Sequence, residues 1–477
     1  MSAIRYVCMS DVHFGAANSL LTRVDTDSVT VKPSQPSVVL GHLVECLRAL
    51  VTAMGGDRKP TLVLHGDVLD LALSPLPDSA MAFQRFVELA WPAQGEPLFD
   101  SRVIYVPGNH DHFLWRTAIS QLYHEDILAT PLDQPLPPIR SVTSMFSALD
   151  MDISSPVLAE ILGRGSKRRA TVTTVYPNFG IVSDRRDRCV VVSHGHYIES
   201  IYRLQSRLLD LVFPDQPLAE DIATIERENG DWINYFWSSW GAAGKVGEGV
   251  MLVYDKLQDP GHTKALFKTF AESLATLLPG ARWEHWLEAR VLDAGVDLIC
   301  GHVAGLARNQ TADVLSADAR AGLRWYLEGP VLKELHAELG TRVPDDVTFV
   351  FGHTHKPYQA VEAFAGYPVP VKLYNSGGWV VDTPAPNPIE GGALILIDET
   401  LGVASLRMYN ESADAGRYTV TVEDAATATG GTPGPFCAAL RAKVDPAADP
   451  WATFSAAAAR EVSLRNDQLR ALMNRSV

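Results

Sequence analysis

The sequence has few of the features that place a protein in a membrane or in an oxidising compartment. No apolar run in it is long enough to span a bilayer. The N-terminal residues show no signal-peptide pattern. The five cysteines are scattered and form no Cys-x-x-Cys pair, which argues against a disulfide scaffold and for a reducing compartment. We therefore expect a cytoplasmic protein with no transmembrane segment.

Basic residues are also in the minority. The chain has 41 Lys and Arg against 56 Asp and Glu, a formal net charge of -15. Nucleic-acid binding is driven by basic side chains that neutralise phosphates, so this balance argues against a nucleic-acid partner. The 477 residues, 47% hydrophobic and 20% charged, suffice for two domains, or for one domain with large insertions.

Short apolar runs alternate with segments of helical spacing in the first part of the chain. The predicted strands cover residues 4–9, 61–64, 102–106, 189–192, 347–351, 371–374, 393–397 and 403–408, the last two as a hairpin. The predicted helices include residues 41–53, 80–90 and 456–473. This order of strand, helix, strand, helix, strand predicts an α/β fold.

Changes in composition suggest where the domains divide. Residues 1–199 form the first part of an α/β core, in which 112–187 is an irregular, proline-rich insertion with the basic patch Lys167-Arg168-Arg169. Residues 200–345 are mostly of helical character and are predicted to be an insertion or cap. Residues 346–410 complete the core, and 411–477 form a linker, centred on the Thr/Gly/Pro-rich stretch 427–434, and a C-terminal helical tail.

Five short polar motifs follow apolar runs that lie far apart in the chain. They are Asp11-Val12-His13, Gly66-Asp67-Val68-Leu69-Asp70, Gly108-Asn109-His110-Asp111, His194-Gly195-His196 and Gly352-His353-Thr354-His355. Motifs at strand ends can be gathered by a sheet, and open α/β sheets keep their ligand sites at strand ends. The mixture of Asp, Asn and His suits a pair of borderline-hard divalent metal ions.

Such a pair of ions has a known chemical use. Two divalent ions about 3.5–4 Å apart can clamp an in-line displacement at phosphorus. One carboxylate must bridge the ions to offset their repulsion, and the other ligands must leave room for a water molecule. In ordinary extended geometry His353 and His355 would lie on the same side of the chain, which suits ligation of adjacent ions. A further dipeptide, Gly301-His302, follows a strand-like run and is a spare ligand candidate.

In this order the motifs resemble those of the calcineurin-like metallophosphoesterase superfamily. The resemblance covers roughly residues 4–111, 188–200 and 346–410. It implies a four-layer sandwich of the α/β class (α+β by some schemes), with two mixed β-sheets flanked by helices and a large helical insertion. The residues flanking the first and last motifs, and Tyr374-Asn375-Ser376-Gly377-Gly378-Trp379, resemble the UDP-2,3-diacylglucosamine hydrolases, a branch that cleaves a pyrophosphate. The lipid substrate is not inferred, because this chain is much longer and carries His110 where that branch commonly has Arg.

The resemblance also implies a role for each motif residue. As metal ligands it implies Asp11, His13 and His355 at one ion, Asn109, His194 and His353 at the other, and Asp67 between them. His110 would stand near the leaving-group oxygen as a general acid or a phosphate contact. Asp70 would hydrogen-bond to His110 and raise its proton affinity. His196 and His112 extend two motifs and are candidates for substrate contacts, although His112 could equally be a solvated loop histidine.

Two functions from different classes follow. The first is a dinuclear metal-dependent phosphohydrolase that cleaves a phosphoester or pyrophosphate bond of a small phosphorylated substrate by metal-activated water. We expect Mn²⁺, while Fe, Zn and Mg also suit the ligands. The second is a regulatory or scaffolding protein that binds a partner through the aromatic group Trp232, Tyr235, Phe236, Trp237 and Trp240. The sequence leaves open monoester, diester or pyrophosphate preference, and the oligomeric state.

Overall fold

The computed structural model of the chain describes residues 3–26, 30–147, 153–166, 170–212, 215, 219–238 and 313–475. Several predictions lie outside these residues: the basic patch Lys167-Arg168-Arg169, the dipeptide Gly301-His302, Trp240, and residues 241–312 of the predicted helical insertion. Within the described residues, no helix combines the length and apolar character needed to cross a membrane.

Fourteen strands are present in the described part of the chain. In order they are β1 (Ile4–Met9), β2 (Thr22–Val24), β3 (Val31–Pro36), β4 (Thr61–His65), β5 (Arg102–Val106), β6 (Thr171–Thr174), β7 (Asn178–Val182), β8 (Arg188–Ser193), β9 (Asp346–Phe351), β10 (Tyr358–Glu362), β11 (Val371–Asn375), β12 (Gly391–Asp398), β13 (Val403–Asn410) and β14 (Thr421–Glu423). All eight predicted strands are confirmed, most of them to within one or two residues at each end.

The helices lie between and after these strands. They are α1 (Val38–Met54), α2 (Leu76–Ala90), α3 (His112–Ala129), α4 (Pro156–Ser166), α5 (Leu204–Val212), α6 (Ile222–Ser238), α7 (Ala317–Tyr326), α8 (Leu332–Leu339), α9 (Ala425–Ala428), α10 (Pro435–Arg441) and α11 (Trp451–Arg475). Short 3₁₀ turns cover His196–Ile198, Ser200–Arg203 and Ala415–Arg417, and a π-helical turn at Leu327–Val331 joins α7 to α8.

The strands form three sheets. The larger sheet has the order β14-β13-β12-β1-β4-β5-β6, the smaller has the order β10-β11-β9-β8-β7, and β2 pairs with β3. Strands β1, β4, β5 and β6 are parallel, whereas β12 is antiparallel to both β1 and β13. In the smaller sheet β8, β9 and β11 are parallel, and the two outer strands are antiparallel to them. Both sheets are therefore mixed, and the α/β class is confirmed.

The alternation of side chains along β1 shows what lies on each face of the larger sheet. Val7 and Met9 belong to a core cluster that also contains side chains of α1, α2 and α11. Cys8 points to the opposite face and belongs to a second cluster, with Val190 and Val350 from the smaller sheet. The two sheets thus pack against each other. Helices α3, α6 and α7 contribute to a third cluster with the other face of the smaller sheet.

The central strands are mostly apolar because both of their faces are covered. This explains why they read in the sequence as continuous apolar runs rather than as alternating ones. Helix α1 begins after Ser37, whose Oγ accepts a hydrogen bond from the backbone N–H of Leu40 at 3.0 Å. Such a cap stabilises a helix start by about 1 kcal/mol.

The expectation that residues 112–187 are irregular is wrong. This stretch contains helices α3 and α4, strand β6 at the edge of the larger sheet and strand β7 at the edge of the smaller one. The prolines that suggested a loop are confined to residues 131–138. Helix α3 ends just before them, at Ala129, and the described residues from 130 to 155 contain no helix or strand. The prediction of a loop is therefore right for this part of the stretch.

The C-terminal residues are more closely integrated than a linker and tail. Strand β14 pairs with β13 in the larger sheet. Helix α11 contains the predicted helix, and its side chains Phe454 and Val462 are buried in the cluster shared with α1. Arg465 is 1% exposed and donates hydrogen bonds to the backbone oxygens of Ser19 and Thr22. The tail is thus part of the core of the larger sheet.

Candidate metal centre

The polar motifs stand at the carboxyl ends of five strands. Residues Asp11, Asp67 and Asn109 follow the parallel strands β1, β4 and β5, and His194 and His353 follow the parallel strands β8 and β9. The face-to-face packing of the two sheets brings these ends together. All of the predicted ligands are buried, with exposures of 0–2%: Asp11, His13, Asp67, Asn109, His194, His353 and His355.

The backbone is left-handed at most of these positions. Only seven described residues other than glycine have a positive φ, and five of them are predicted ligands: Asp11 (50°), His13 (45°), Asp67 (50°), His353 (68°) and His355 (59°). This conformation is unfavourable for residues with a Cβ and concentrates at functional sites. The expectation that His353 and His355 lie on an extended segment is therefore wrong, because β9 ends at Phe351 and the chain turns sharply there.

One group of ligand atoms comes from Asp11, His13 and His355, all within 4.8 Å of one another. The Nε2 atoms of His13 and His355 are 3.2 Å apart, and Nε2 of His355 is 3.4 Å from Oδ1 of Asp11. Atoms that bind one ion at about 2.0–2.2 Å lie about 3.0–3.4 Å apart at tetrahedral or octahedral angles. The spacing of this group therefore fits a metal ion.

A second group of the same kind comes from Asp67, His194 and His353. Nε2 of His194 is 3.5 Å from Oδ2 of Asp67 and 2.9 Å from Oδ1 of Asn109. The same Oδ2 of Asp67 is 3.6 Å from Nε2 of His13, which belongs to the first group. One carboxylate oxygen thus stands between imidazole nitrogens of both groups.

In each of these histidines, a protein group contacts the ring nitrogen that is not directed at the ligand cluster. Nδ1 of His13 faces Asp70 at 2.9 Å, and Nδ1 of His355 faces Asp382. Nε2 of His353 faces Glu199 at 2.9 Å, and Nδ1 of His194 faces the backbone oxygen of His65 at 3.2 Å. Histidines that bind metals almost always donate their other N–H in this way, which leaves the second nitrogen with a free lone pair. These buried His and Asp groups could therefore hold metal ions.

Asp70 contacts two histidines. Besides His13, its Oδ1 lies 3.1 Å from Nδ1 of His110, and the rings of His13 and His110 meet edge to face with centroids 4.7 Å apart. Burial opposes ionisation of Asp70, but the charge of His110 and hydrogen bonds from both histidines outweigh it and hold the pKa of the carboxyl far below its usual range. Asp70 is therefore a carboxylate at neutral pH.

Neither protein-family models nor curated proteins include a match for this chain. The chemical use of the centre must therefore be inferred from its own geometry.

His112 and His196, the candidates for substrate contacts, lie in a buried network beside the centre. Nε2 of His112 is 3.0 Å from Oε1 of Glu226, and Nε2 of His196 is 3.2 Å from the hydroxyl of Tyr176. Tyr176 in turn donates to Oε2 of Glu226 at 2.9 Å. The hydroxyl of Tyr197 donates to the same oxygen. His112 is fully buried at the start of α3, so the reading of a solvated loop histidine is wrong.

The aromatic residues of α6 pack mostly inward. Trp232 and Trp237 lie against the cluster of the smaller sheet, and Nε1 of Trp232 donates to the backbone oxygen of Ile201 at 3.0 Å. Tyr235 is 58% exposed. At the end of the helix, Oγ of Ser238 donates to the backbone oxygen of Asn109 at 2.6 Å. Helix α6 therefore supports the loop that carries Asn109.

Sequence reasoning missed three carboxylates of the centre. Glu199 and Asp382 orient His353 and His355, as described above. The third, Asp111, accepts hydrogen bonds from the backbone N–H groups of Val68 and Gly108, both at 2.7 Å, and so joins the loops after β4 and β5. Burial and the charge of Asp67 raise the pKa of Asp111 to about 6. Asp111 could have been suspected from its place in the third motif, whereas Glu199 and Asp382 belong to no motif.

Proposed function

We propose that the chain is a dinuclear metal-dependent phosphohydrolase of the calcineurin-like metallophosphoesterase superfamily. The observation that carries the proposal is the position of Oδ2 of Asp67, 3.6 Å from His13 of one ligand group and 3.5 Å from His194 of the other. A carboxylate between two cation sites is what a two-metal centre needs. Two mixed sheets packed face to face, with helices outside, support the four-layer sandwich of that superfamily.

The ligand sets assign residues to each ion. Asp11, His13 and His355 would hold one, and Asn109, His194 and His353 the other. Asp67 would serve both. Divalent ions bound here would lower the pKa of water and offset the negative charge on phosphoryl oxygens. Oxygen ligands mixed with imidazoles favour Mn²⁺, and Fe, Zn and Mg remain compatible.

The chain's own side chains supply orientation and a proton. Asp70 holds the Nδ1 proton of His13, so the lone pair of His13 stays on Nε2. Asp70 also faces Nδ1 of His110, which leaves Nε2 as the atom of that ring able to give a proton to a leaving-group oxygen. The backbone N–H of His110 donates to Oδ1 of Asp67 at 2.8 Å. His110 is thereby fixed beside the carboxylate that joins the two groups.

The test is a substrate panel assayed with Mn²⁺. It contains a chromogenic phosphodiester, nucleotides, cyclic nucleotides, sugar nucleotides and a phosphoprotein, and compares the wild type with Asp67→Asn. The control is Asp57→Asn, which changes a carboxylate that is 76% exposed. We expect Mn²⁺-dependent turnover by the wild type and the control, with at least a 100-fold loss in Asp67→Asn. An Asp67→Asn protein that keeps both metals and full turnover would refute the assignment of Asp67.

The alternative of a regulatory or scaffolding protein makes a different prediction for the same samples. Fewer than one bound metal per chain, with no phosphatase activity after Mn²⁺ addition, would favour it. Trp232 and Trp237 pack against the hydrophobic cluster of the smaller sheet. Of the described aromatic residues in the group, Tyr235 is the exposed one, so their packing gives this second function little support.

A further inference from the structure

A cavity of about 590 Å³ opens between α5, the start of α6 and α7. Its wall includes Arg203, Arg207, Asp210, Glu220, Asp318 and Trp325. None of the predicted metal ligands lines it. Apolar or small residues complete the wall, among them Ile225 and Gly322. The cavity is large enough for a small organic molecule.

Arg203 is the unusual member of this wall. It is 8% exposed, and its guanidinium carbon lies 4.0 Å from the centre of the Trp325 ring. Within the described part of the chain, it makes no hydrogen bond and no ion pair, and its buried Nε has no acceptor. A buried arginine normally pairs with a carboxylate or several carbonyl groups, because an unpaired buried charge is costly. The cation–π contact with Trp325 offsets a small part of this cost.

The charge of Arg203 persists at neutral pH. Burial, reinforced by the nearby charge of Arg207 and opposed by Asp318, lowers its pKa to about 10. The carboxylate of Asp318 is itself engaged, since Oδ2 accepts hydrogen bonds from the backbone N–H and the hydroxyl of Ser200 at 2.9 and 2.8 Å. The guanidinium therefore remains charged, and no described residue gives it a direct anionic partner.

The other charged residues of the wall limit which anion could pair with Arg203. Glu220 is paired with Lys333 at 2.6 Å, and Asp210 is exposed. With Lys333 counted, the three carboxylates of the wall balance three basic side chains, so the wall as a whole does not favour a ligand with several anionic groups. One anionic group placed at Arg203, on a body that meets Ile225 and Trp325, fits the wall better.

We propose that this cavity binds a small organic molecule with a single carboxylate or phosphate group, which the forked donors of Arg203 contact. The forked geometry of a guanidinium matches both of these anions. The proposal goes beyond the phosphohydrolase function and does not depend on it, because no residue of the cavity belongs to the metal centre.

Two fluorinated probes test the site and separate the two anions. Binding of 4-fluorobenzoate and of 4-fluorophenylphosphonate to the full-length protein is measured by ¹⁹F NMR, with and without Mn²⁺. Samples without Mn²⁺ contain EDTA. The variants are Arg203→Met, Arg203→Lys and the control Arg342→Met, which removes an arginine that is 81% exposed and paired with Asp345.

We expect saturable binding of at least one probe to the wild type and the control, in both metal states. Arg203→Met should weaken it about tenfold or more, as the loss of a charged hydrogen-bonding group does. Arg203→Lys should have an intermediate effect. Without a probe, Arg203→Met should melt no earlier than the wild type, since it removes a buried charge that no described residue pairs with. A purely structural arginine would instead lower the melting temperature when replaced.

Three results would overturn the proposal. The first is equal affinity of Arg203→Met and the wild type. The second is the absence of saturable binding of both probes to the wild type. The third is binding that EDTA abolishes, because this would place the probe at the metal centre. A failure of the phosphohydrolase assay would not affect any of these three binding tests, so the two proposals can fail separately.

Discussion

Replacing Asp70 by Asn should disturb two histidines through one atom change. Oδ2 of Asp70 lies 2.9 Å from Nδ1 of His13, while Oδ1 lies 3.1 Å from His110 and accepts the backbone N–H of Leu73 at 2.9 Å. If the amide oxygen keeps the contact with Leu73, the amide nitrogen must face His13. It would then donate to Nδ1 of His13, so the proton of this ring would move to Nε2. Nε2 would then have no lone pair with which to bind a metal ion together with Asp11 and His355.

The size of the effect follows from how metal-binding histidines depend on such partners. Loss of the orienting carboxylate typically costs 10- to 100-fold in metal affinity or activity, or about 1.4–2.7 kcal/mol. His110 should change as well. Burial lowers the pKa of His110, and the negative charge of Asp70 makes the largest opposing contribution. Without the carboxylate the pKa should fall further, so an acid-dependent rate should decline at lower pH than in the wild type.

The assay combines a Mn²⁺ titration with a pH profile of kcat, using the best substrate of the panel. Asp57→Asn again serves as the control for a lost carboxylate. Excess Mn²⁺ should restore metal occupancy in Asp70→Asn but leave kcat reduced, with the alkaline limb of the profile shifted to lower pH. Unchanged Mn²⁺ dependence together with an unchanged profile would show that Asp70 orients neither histidine.

Three predictions concern stability. Burial, reinforced by the charge of Glu390, raises the pKa of Glu411 from 4.5 to about 9. Between these two pH values the folded state holds a proton that the unfolded state has lost. The free energy of unfolding of the wild type should therefore fall by about 1.4 kcal/mol for each pH unit of increase. Glu411→Gln should lack this loss in urea unfolding at pH 5, 7 and 9. If the difference in free energy of unfolding between the variant and the wild type does not change with pH, the reasoning is wrong. Gly322→Ala would place a Cβ 1.6 Å from the backbone oxygen of Ile198, so α7 must shift, and thermal unfolding should show a loss of about 1–3 kcal/mol. Glu226→Gln weakens a buried acceptor of two tyrosine hydroxyls and should cost about 1–3 kcal/mol with no change in Mn²⁺ affinity measured by calorimetry.

The strands and the motif residues could be predicted because both are local patterns. A buried parallel strand is a continuous apolar run, and residues such as Asp67 and His194 stand directly after one. Packing between the sheets then brings the motifs together without any further signal in the sequence. Helix α3 also has a local pattern in the sequence, because its buried residues recur at helical spacing: Leu114, Trp115, Ala118 and Ile119. The prolines at residues 131–138 follow this helix and do not interrupt it.

The partners of the histidines were beyond such reasoning. Glu199 is 154 residues from His353, and Glu226 is 114 residues from His112. Carboxylates are common on protein surfaces, so nothing local marks one that will be buried beside a ring. The left-handed backbone at the ligands was missed for a related reason. Local propensity disfavours that conformation in Asp and His, and only the surrounding fold imposes it.

The most direct test of the central claim is the number of metal ions bound per chain. Full-length protein is loaded with Mn²⁺, passed through a desalting column and measured by inductively coupled plasma mass spectrometry, alongside Asp67→Asn and the control Asp57→Asn. We predict two ions per chain in the wild type and the control, and fewer in Asp67→Asn. Fewer than one ion in the wild type, or equal numbers in all three proteins, would contradict the assignment of a two-metal centre bridged by Asp67.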